Sequence, residues 1–357
     1  MKSKHILFLT VFILLTFAPV PVYTLFKEKI GYKNTENKAA AAFPDLTPGS
    51  YTTFPRRFEE WLSDNLPFKT QFIELFRGFQ FQSGSDYEQS DVIRGKEENL
   101  FYRVTVDNYK GLERFTDREL ETIRDHLSGF FGRMEKDGTQ CLLYIAPDKH
   151  QVYSRYMPDD IRRVTETSRG DQTSEWLAGE ISQKVLYPKA ELTELSLKHP
   201  VYFQTDTHWN ELGGAFAAAQ IRAAFTGTNV PAELPSYHYY EEKGKDLAMM
   251  LGLSDEIREG NAVLIDFNDD VESHKTETLE YGRIQRYTSN APVHKKLMII
   301  GDSFSEYFLR SAIHDVDEIL FVTYGQLSLI DWEAEKPDYL VVMLVERNLP
   351  FLLNGFY

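Results

Sequence analysis

The stretch IIGDSFS, residues 299–305, ends an apolar run at a glycine and places a serine where a helix is expected to begin. The run from Leu297 to Ile300 is wholly apolar, as expected of a buried strand in a sheet covered on both faces. Gly301 permits a tight turn because it carries no Cβ. Ser303 is therefore predicted to lie at a helix N-terminus, where free N–H groups favour developing negative charge. The helix is predicted from apolar residues at helical spacing, which are Phe304, Phe308, Leu309, Ala312 and Ile313.

A serine hydroxyl is a weak nucleophile unless a base removes its proton, so Ser303 needs a histidine held by a carboxylate. The segment VYFQTDTHWN, residues 201–210, offers both groups. Its composition is typical of a strand, in which residues two apart point to the same side, so Asp206 and His208 are predicted to share a face. Each motif alone also has a non-catalytic interpretation. Gly-Asp-Ser is also found as a helix cap, and Asp-x-His is also found in metal sites and polar pairs.

Together, GDSF at 301–304 and DTHWN at 206–210 resemble the alginate O-acetyltransferase family, periplasmic SGNH-hydrolase-like proteins that acetylate exopolysaccharides. In ordinary SGNH hydrolases the serine comes first and an Asp-x-x-His motif last. Here, as in this family, the order is permuted and the spacing is Asp-x-His. The resemblance implies that Ser303 is the nucleophile, His208 the base and Asp206 its orienting partner. Further landmarks extend it over roughly residues 50 to 350, and they lie at 58–69, 92–96, 99–102, 336–339 and 346–347.

Strands that alternate with helices predict an α/β fold, a three-layer domain with a largely parallel sheet, and the resemblance implies that it is SGNH-hydrolase-like. Thr116 and Glu119 form a potential capping box at the start of one helix. Other helices are predicted over residues 176–186 and 212–225. Buried strands are predicted at 141–146, 319–322 and 339–344.

Three regions are predicted along the chain. Residues 1–25 carry leading lysines and an apolar run, which indicate a signal anchor or a signal peptide. No clean small-x-small cleavage site follows, which favours the anchor. Residues 26–90 form a spacer and a short helical region, and residues 91–357 form the SGNH-like acyltransferase domain, with an irregular insertion at about 226–291. The protein is accordingly expected in the cell envelope, in a periplasmic or extracytoplasmic location.

Charge and cysteine content exclude several classes of function. The net charge of −15 and the lack of basic clusters argue against nucleic-acid binding, which needs cations against phosphates. The single cysteine, Cys141, cannot form an intramolecular disulfide and is predicted to lie in a buried strand. The acidic stretch 266–270 lacks a full calcium-loop pattern. No metal and no cofactor are predicted.

Five residues at strand ends or beside the motifs are candidate substrate contacts: Lys149, Trp209, Asn210, Tyr324 and Arg347. All except Tyr324 also have a structural alternative. The lysine suits a solvated loop, the tryptophan a packed interior, and the asparagine a helix N-cap. For Arg347 the alternative is an internal ion pair with Glu346.

Ser303, His208 and Asp206 predict two-step acyl transfer. His208 deprotonates Ser303, and the acyl-enzyme passes acetyl to a polysaccharide hydroxyl. The backbone N–H of Ser303 is an expected oxyanion donor. The resemblance implies that a membrane-bound O-acyltransferase supplies the acetyl group. Two other functions stay open: a carbohydrate acetylesterase with the same triad, and a non-catalytic polysaccharide-binding or assembly subunit. A metallohydrolase using Asp206 and His208 would need further ligands that the sequence does not indicate.

Overall fold

The computed structural model describes residues 41–64 except 46 and 48, residues 91–181, 184–230, 234–264, 273–278 and 284–356, and positions 10, 12, 13, 25 and 68. The predicted signal segment lies almost wholly outside this part of the chain. So do residues 69–90 of the predicted helical region and the acidic stretch 266–270. Within the described part, no helix has the length and apolar character needed to cross a membrane.

The chain forms two compact units, residues 1–88 with 249–253, and residues 89–248 with 254–357. In the first unit the helix Phe54–Asp64 (α1) lies in the region predicted to be helical, and it carries Phe54, Phe58 and Trp61. Phe43 packs edge-on against Trp61 of this helix, with 4.9 Å between ring centroids. All predicted site residues lie in the second unit.

The described strands and helices alternate along most of the second unit. The strands are Val92–Arg94 (β1), Leu100–Tyr102 (β2), Gln140–Ala146 (β3), Lys184–Leu186 (β4), Tyr237–Lys243 (β5), Arg258–Leu264 (β6), Ser273–Thr278 (β7), Ile284–Ser289 (β8), Lys296–Gly301 (β9), Glu318–Thr323 (β10) and Tyr339–Val345 (β11). The helices that follow α1 are Val106–Tyr109 (α2), Asp117–Lys136 (α3), Lys149–Val152 (α4), Arg169–Glu180 (α5), Lys189–Leu195 (α6), Glu211–Thr226 (α7), Asp246–Met250 (α8) and Ser305–Ala312 (α9). Short 3₁₀ helices lie at Lys96–Glu98, Arg103–Thr105, Ser154–Tyr156, Tyr324–Leu329 and Glu346–Asn354.

Seven strands form the main sheet, in the order β4-β3-β11-β9-β10-β8-β7. The strands from β4 to β10 in this order are parallel to one another. At the other edge, β8 and β7 are added antiparallel. Strands β1 and β2 form a separate ribbon, as do β5 and β6. The largely parallel sheet is therefore as predicted.

Alternate side chains of each central strand point to opposite sides of the sheet. Both faces are apolar, and helices cover both of them. On one face, Tyr144 and Ile299 pack with residues of α7 and α9. On the other face, Leu143 and Ile300 pack with residues of α3. All four side chains are fully buried, and each contributes about 1.5–3 kcal/mol through apolar burial. The three-layer α/β arrangement is confirmed.

Local signals in the sequence predict a helix start and a buried strand correctly. Helix α3 begins at the predicted capping box, with Thr116 as N-cap and reciprocal bonds to Glu119. Cys141 is buried in β3, and burial raises the pKa of its thiol to about 12.

Two predictions of secondary structure are wrong. The helix predicted over residues 176–186 ends at Glu180, and Val185 lies in the short edge strand β4. The segment 226–291 is not irregular, since β5 and β6 form a ribbon and β7 and β8 extend the main sheet. That it is an insertion stays a prediction. These strands have no apolar run to mark them, since β4 and β5 contain no buried residue and β8 contains only Ile284.

Gly214 of α7 allows this helix to approach α9 closely. A Cβ at this position would lie 2.4 Å from the carbonyl oxygen of Tyr307 and 2.8 Å from the amide nitrogen of Phe308. We expect Gly214→Ala to lower the free energy of unfolding by about 1–3 kcal/mol, because backbone atoms must move apart. In α3 a Cβ on Gly132 would meet nothing within 4 Å, so Gly132→Ala should stabilise by about 0.5–1 kcal/mol. Urea unfolding measures both, and equal effects would contradict the close approach.

Candidate active site

Ser303 lies in the turn between β9 and α9, and Asp302 fixes this turn. One carboxyl oxygen of Asp302 accepts the amide hydrogen of Phe304 at 3.0 Å. The other accepts from the amide of Val345 at 2.8 Å and from the side-chain amide of Asn348 at 2.9 Å. The strand–turn–helix unit is as predicted, although the helix begins only at Ser305. Asp302 therefore ties the serine turn to the end of the neighbouring strand β11.

The segment 201–210 is a loop and not the extended strand that its composition predicts. A single bridge between Tyr202 and Trp209 closes its ends, and the intervening backbone bends. Within the bend, Asp206 Oδ1 accepts from the amide nitrogen of His208 at 2.9 Å and lies 2.6 Å from its Nδ1. The carboxylate and the imidazole are thus neighbours because of a local turn.

His208 joins this loop to the serine turn. Its Nε2 lies 2.8 Å from Ser303 Oγ, so Asp206, His208 and Ser303 form one continuous chain of hydrogen bonds. Burial alone would raise the pKa of Asp206, but the hydrogen bonds and the charge of His208 outweigh it and lower that pKa. Asp206 is buried while Ser303 is exposed to solvent. An ionised carboxylate behind an imidazole that contacts an exposed hydroxyl is an arrangement suited to deprotonating that hydroxyl.

Lys149 binds the backbone of the loop at residues 201–210. Its ammonium donates to the carbonyl oxygens of Leu100, Gln204 and Asp206 at 2.8, 2.6 and 3.3 Å. The side chain is fully buried, and burial lowers the pKa of its amine to about 7 against the attraction of nearby carboxylates such as Glu259. All three N–H bonds of the ammonium are therefore used within the protein.

Trp209 and Asn210 extend the loop into the core. The indole Nε1 of Trp209 donates to the carbonyl oxygen of Phe304 at 2.9 Å, and the ring of Phe304 lies 4.9 Å from that of His208. Asn210 is the N-cap of α7, where its Oδ1 accepts from Leu212 and Gly213. Both residues take the structural alternatives that the sequence left open.

Tyr324 and Arg347 are likewise held by protein partners. The hydroxyl of Tyr324 donates to the carbonyl oxygen of Gly355 at 2.7 Å. Arg347 pairs with Asp148, and its guanidinium lies 5.2 Å from the centre of the Phe304 ring. The expected pair with Glu346 is absent from the described residues, because that carboxylate accepts from Tyr187 and Gly170 instead. For all five candidates, contact with a substrate stays a prediction.

Asp246 is a site residue that the sequence did not indicate. Its carboxyl accepts from the amide and the hydroxyl of Thr207, each at 3.1 Å, and one oxygen lies 4.0 Å from His208 Nδ1. Burial and the charge of Asp206 raise the pKa of Asp246 to about 6. It lies 39 residues beyond Thr207, in the segment predicted to be an insertion, and belongs to no motif.

Asp206, His208 and Asp246 also offer ligand atoms within 4.8 Å of one another, and all are residue types that bind metals. However, the Nδ1 that would face a metal lies 2.6 Å from Asp206 Oδ1, a hydrogen-bond distance. We therefore assign these three side chains to the hydrogen-bonded network.

Comparisons with known proteins agree with this architecture. A probable alginate O-acetylase AlgJ from Pseudomonas syringae pv. tomato is 23% identical over 54% of this chain and 47% of its own length. A probable alginate O-acetylase AlgJ from Pseudomonas putida is 25% identical over 37% of this chain and 33% of its own length. The chain thus spans no more than about half the length of these curated relatives.

A solved DHHW family protein from Eubacterium siraeum shares the fold, with a TM-score of 0.51 at 12% identity over 74% of this chain and 98% of that one. Residues 92–313 match the family model described as the SGNH hydrolase-like domain of acetyltransferase AlgX. Because this match spans more than half of the sequence, the chain belongs to the AlgX-type family of SGNH hydrolase-like acetyltransferase domains.

Proposed function

We propose that this protein is an O-acetyltransferase that carries an acetyl group on Ser303 and passes it to hydroxyls of an exported or cell-surface polysaccharide. The observation that carries the proposal is the chain of hydrogen bonds from Asp206 through His208 to Ser303, at 2.6 and 2.8 Å. The family membership supports acetyl transfer, and the names of the AlgJ relatives support a polysaccharide acceptor such as alginate.

In the first step, His208 Nε2 takes the proton of Ser303 as Oγ bonds to the acetyl carbon. The bond to the donor's leaving group breaks, and the leaving group departs with that proton. In the second step, His208 takes the proton of an acceptor hydroxyl as its oxygen attacks the acetyl carbon. The bond between that carbon and Ser303 Oγ breaks, and His208 returns the proton to Oγ. Asp206 holds the imidazole and stabilises its charged form.

The backbone N–H of Ser303 is the proposed oxyanion donor. Among the described residues it donates to no protein acceptor, so it is free to bind the negative oxygen of the tetrahedral intermediate.

The proposed acetyl source is a membrane-bound O-acyltransferase, and the proposed location is extracytoplasmic. Both rest on the N-terminal sequence and on the resemblance to the alginate O-acetyltransferases. Outside the cytoplasm acetyl-CoA is absent, so a partner that delivers acetyl through the membrane would supply the first step.

One observation favours carbohydrate acetylesterase activity as a second candidate. Ser303 is exposed, so in the free protein water has access to the acyl-enzyme. The same three side chains serve hydrolysis when water is the acceptor.

An acceptor assay separates these functions. The full chain is incubated with an activated acetyl ester and an oligosaccharide, before and after dialysis against a chelator. We expect a one-acetyl adduct by intact mass, O-acetylated sugar as the product, and rates within about twofold after dialysis. Acetate alone would favour the esterase. A chelator-sensitive rate would favour a metal at Asp206, His208 and Asp246, and the lack of both adduct and product would contradict the proposal.

A further inference from the structure

We propose that Asp246 is a positioning residue, which acts through the Asp206–His208 pair and whose ionisation controls how the acylation of Ser303 depends on pH. The inference rests on the proposed acyl-enzyme chemistry.

The first part of the argument is geometric. Asp246 lies at the start of α8 and binds Thr207, the residue between Asp206 and His208. It accepts both from the Thr207 amide and from the Thr207 hydroxyl, each at 3.1 Å. The bend that brings the carboxylate to the imidazole is thus fixed from outside the loop.

The second part is electrostatic. A carboxyl oxygen of Asp206 and one of Asp246 lie within 4.8 Å of each other, and burial together with the charge of Asp206 raises the pKa of Asp246. Burial is the largest cause of the raised pKa of Asp246, which is about 6, while the charge of His208 opposes it. Two adjacent carboxyls favour one shared proton at lower pH. Asp246 is the member of the pair that holds this proton.

Other charged groups surround Asp246 on the packed elements. The negative charge of Asp246 attracts Lys149 on α4 and Arg347 on the last 3₁₀ helix, and this attraction favours their charged forms. Lys245, its neighbour in sequence, pairs with Glu242 at 2.7 Å. Glu259 on β6 accepts from the amide of Thr205. Lys149, the deeply buried cation among these groups, is itself engaged by three carbonyls.

A consequence for the reaction follows. When Ser303 loses its proton, the imidazole of His208 becomes positive. Above about pH 6 the ionised Asp246 places a second negative charge 4.0 Å from Nδ1, and below it the neutral carboxyl does not. The side chain of Asp246 is 40% exposed, so solvent screens the attraction, and we expect about a tenfold effect on rate.

The test is the ratio of wild-type to Asp246→Asn acylation rates, measured with an activated acetyl ester on the full chain between about pH 5 and about pH 8. Titrations common to both proteins cancel in this ratio. We expect it to rise from about 1 to about 10, with a midpoint near pH 6. A ratio independent of pH would overturn the proposal, because a purely structural role would affect all pH values alike.

Thr207→Val is the matched control. It removes the hydroxyl that Asp246 binds and keeps the charge. Because that hydrogen bond lowers the pKa of Asp246, the rate of Thr207→Val should still rise with pH, with its midpoint moved to higher pH. A thermal melt of each variant checks folding, and Asp246→Glu, which keeps the carboxylate, should restore a pH-dependent rise.

A second readout is independent of activity. Carboxyl ¹³C NMR of the Ser303→Ala protein, assigned with the Asp246→Asn variant, should give a midpoint near pH 6 for Asp246. Asp206→Asn should lower this midpoint. A midpoint near 4, or one insensitive to Asp206→Asn, would overturn the inference. A midpoint near 6 in a protein whose wild-type form is never acylated would support the carboxyl coupling and contradict the proposed acyl-enzyme.

Discussion

Alanine in place of Ser303 or His208 is expected to slow acetyl-enzyme formation by at least about 10³-fold. Ser303 Oγ is the atom that would bond to acetyl, and His208 Nε2, 2.8 Å away, is the base that would take its proton. Since the two side chains act as a unit, the double variant should be no slower than either single variant. Intact mass, followed over time with an activated acetyl ester, measures the adduct directly.

Ser305→Ala is the matched control for this prediction. Ser305 lies in the same turn, is fully buried, and its hydroxyl has no hydrogen-bond partner among the described residues. Its removal should leave acylation unchanged. The acylation rate of Asp206→Asn should be lower than that of Ser305→Ala and no lower than that of His208→Ala, because the amide cannot stabilise the charged imidazole. An acetyl adduct that persists in Ser303→Ala would place the nucleophile elsewhere and refute the assignment.

The serine turn could be predicted because its determinants are local. A wholly apolar run, a glycine and a helical stripe lie within residues 297–313, and each obeys a rule about near neighbours. The capping box at Thr116 was found for the same reason. Strands β7 and β8 could not be predicted, because they lack the apolar run by which a buried strand is recognised.

The histidine loop shows the limit of such rules. Its β-rich composition predicts an extended strand, yet its backbone is held by distant partners. The amide of Thr205 is bound by Glu259, 54 residues away, and Lys149 binds the carbonyl of Asp206 across 57 residues. Tertiary hydrogen bonds therefore override the local preference for an extended strand. Asp206 and His208 are still close together, because a bend also brings together residues two apart.

Partner choice among charged residues was the least predictable feature. Arg347 is adjacent to Glu346 in sequence but pairs with Asp148, 199 residues away. Asp148 and Glu346 are fully buried and Arg347 is partly buried, and a buried charge takes the partner that the fold supplies. No spacing rule in the sequence predicts that choice of partner. The contact between Asp246 and Thr207, 39 residues apart, could not be predicted for the same reason.

Arg347→Met is expected to lower the free energy of unfolding by about 3–5 kcal/mol near neutral pH, because it leaves Asp148 as a buried carboxylate without its cation. Asp148 is only 1% exposed, and one of its oxygens has no partner among the described residues. Burial already raises the pKa of Asp148 against the attraction of Arg347. A carboxyl whose pKa is higher in the folded state favours folding when protonated. The variant should therefore lose stability as pH rises from about 4, the unfolded value, through the raised folded value.

Urea unfolding at about pH 5 and about pH 7 tests this sign, since the variant should be closer to wild type at the lower pH. The double variant Asp148→Leu with Arg347→Met removes both charges and should recover most of the lost stability. A double variant as unstable as Arg347→Met would refute the ion-pair argument. Because Arg347 also lies against Phe304 beside Ser303, the double variant separates its two possible roles. Restored stability with restored acylation would indicate a structural role alone, whereas restored stability with slow transfer to the acceptor would favour the predicted contact with substrate.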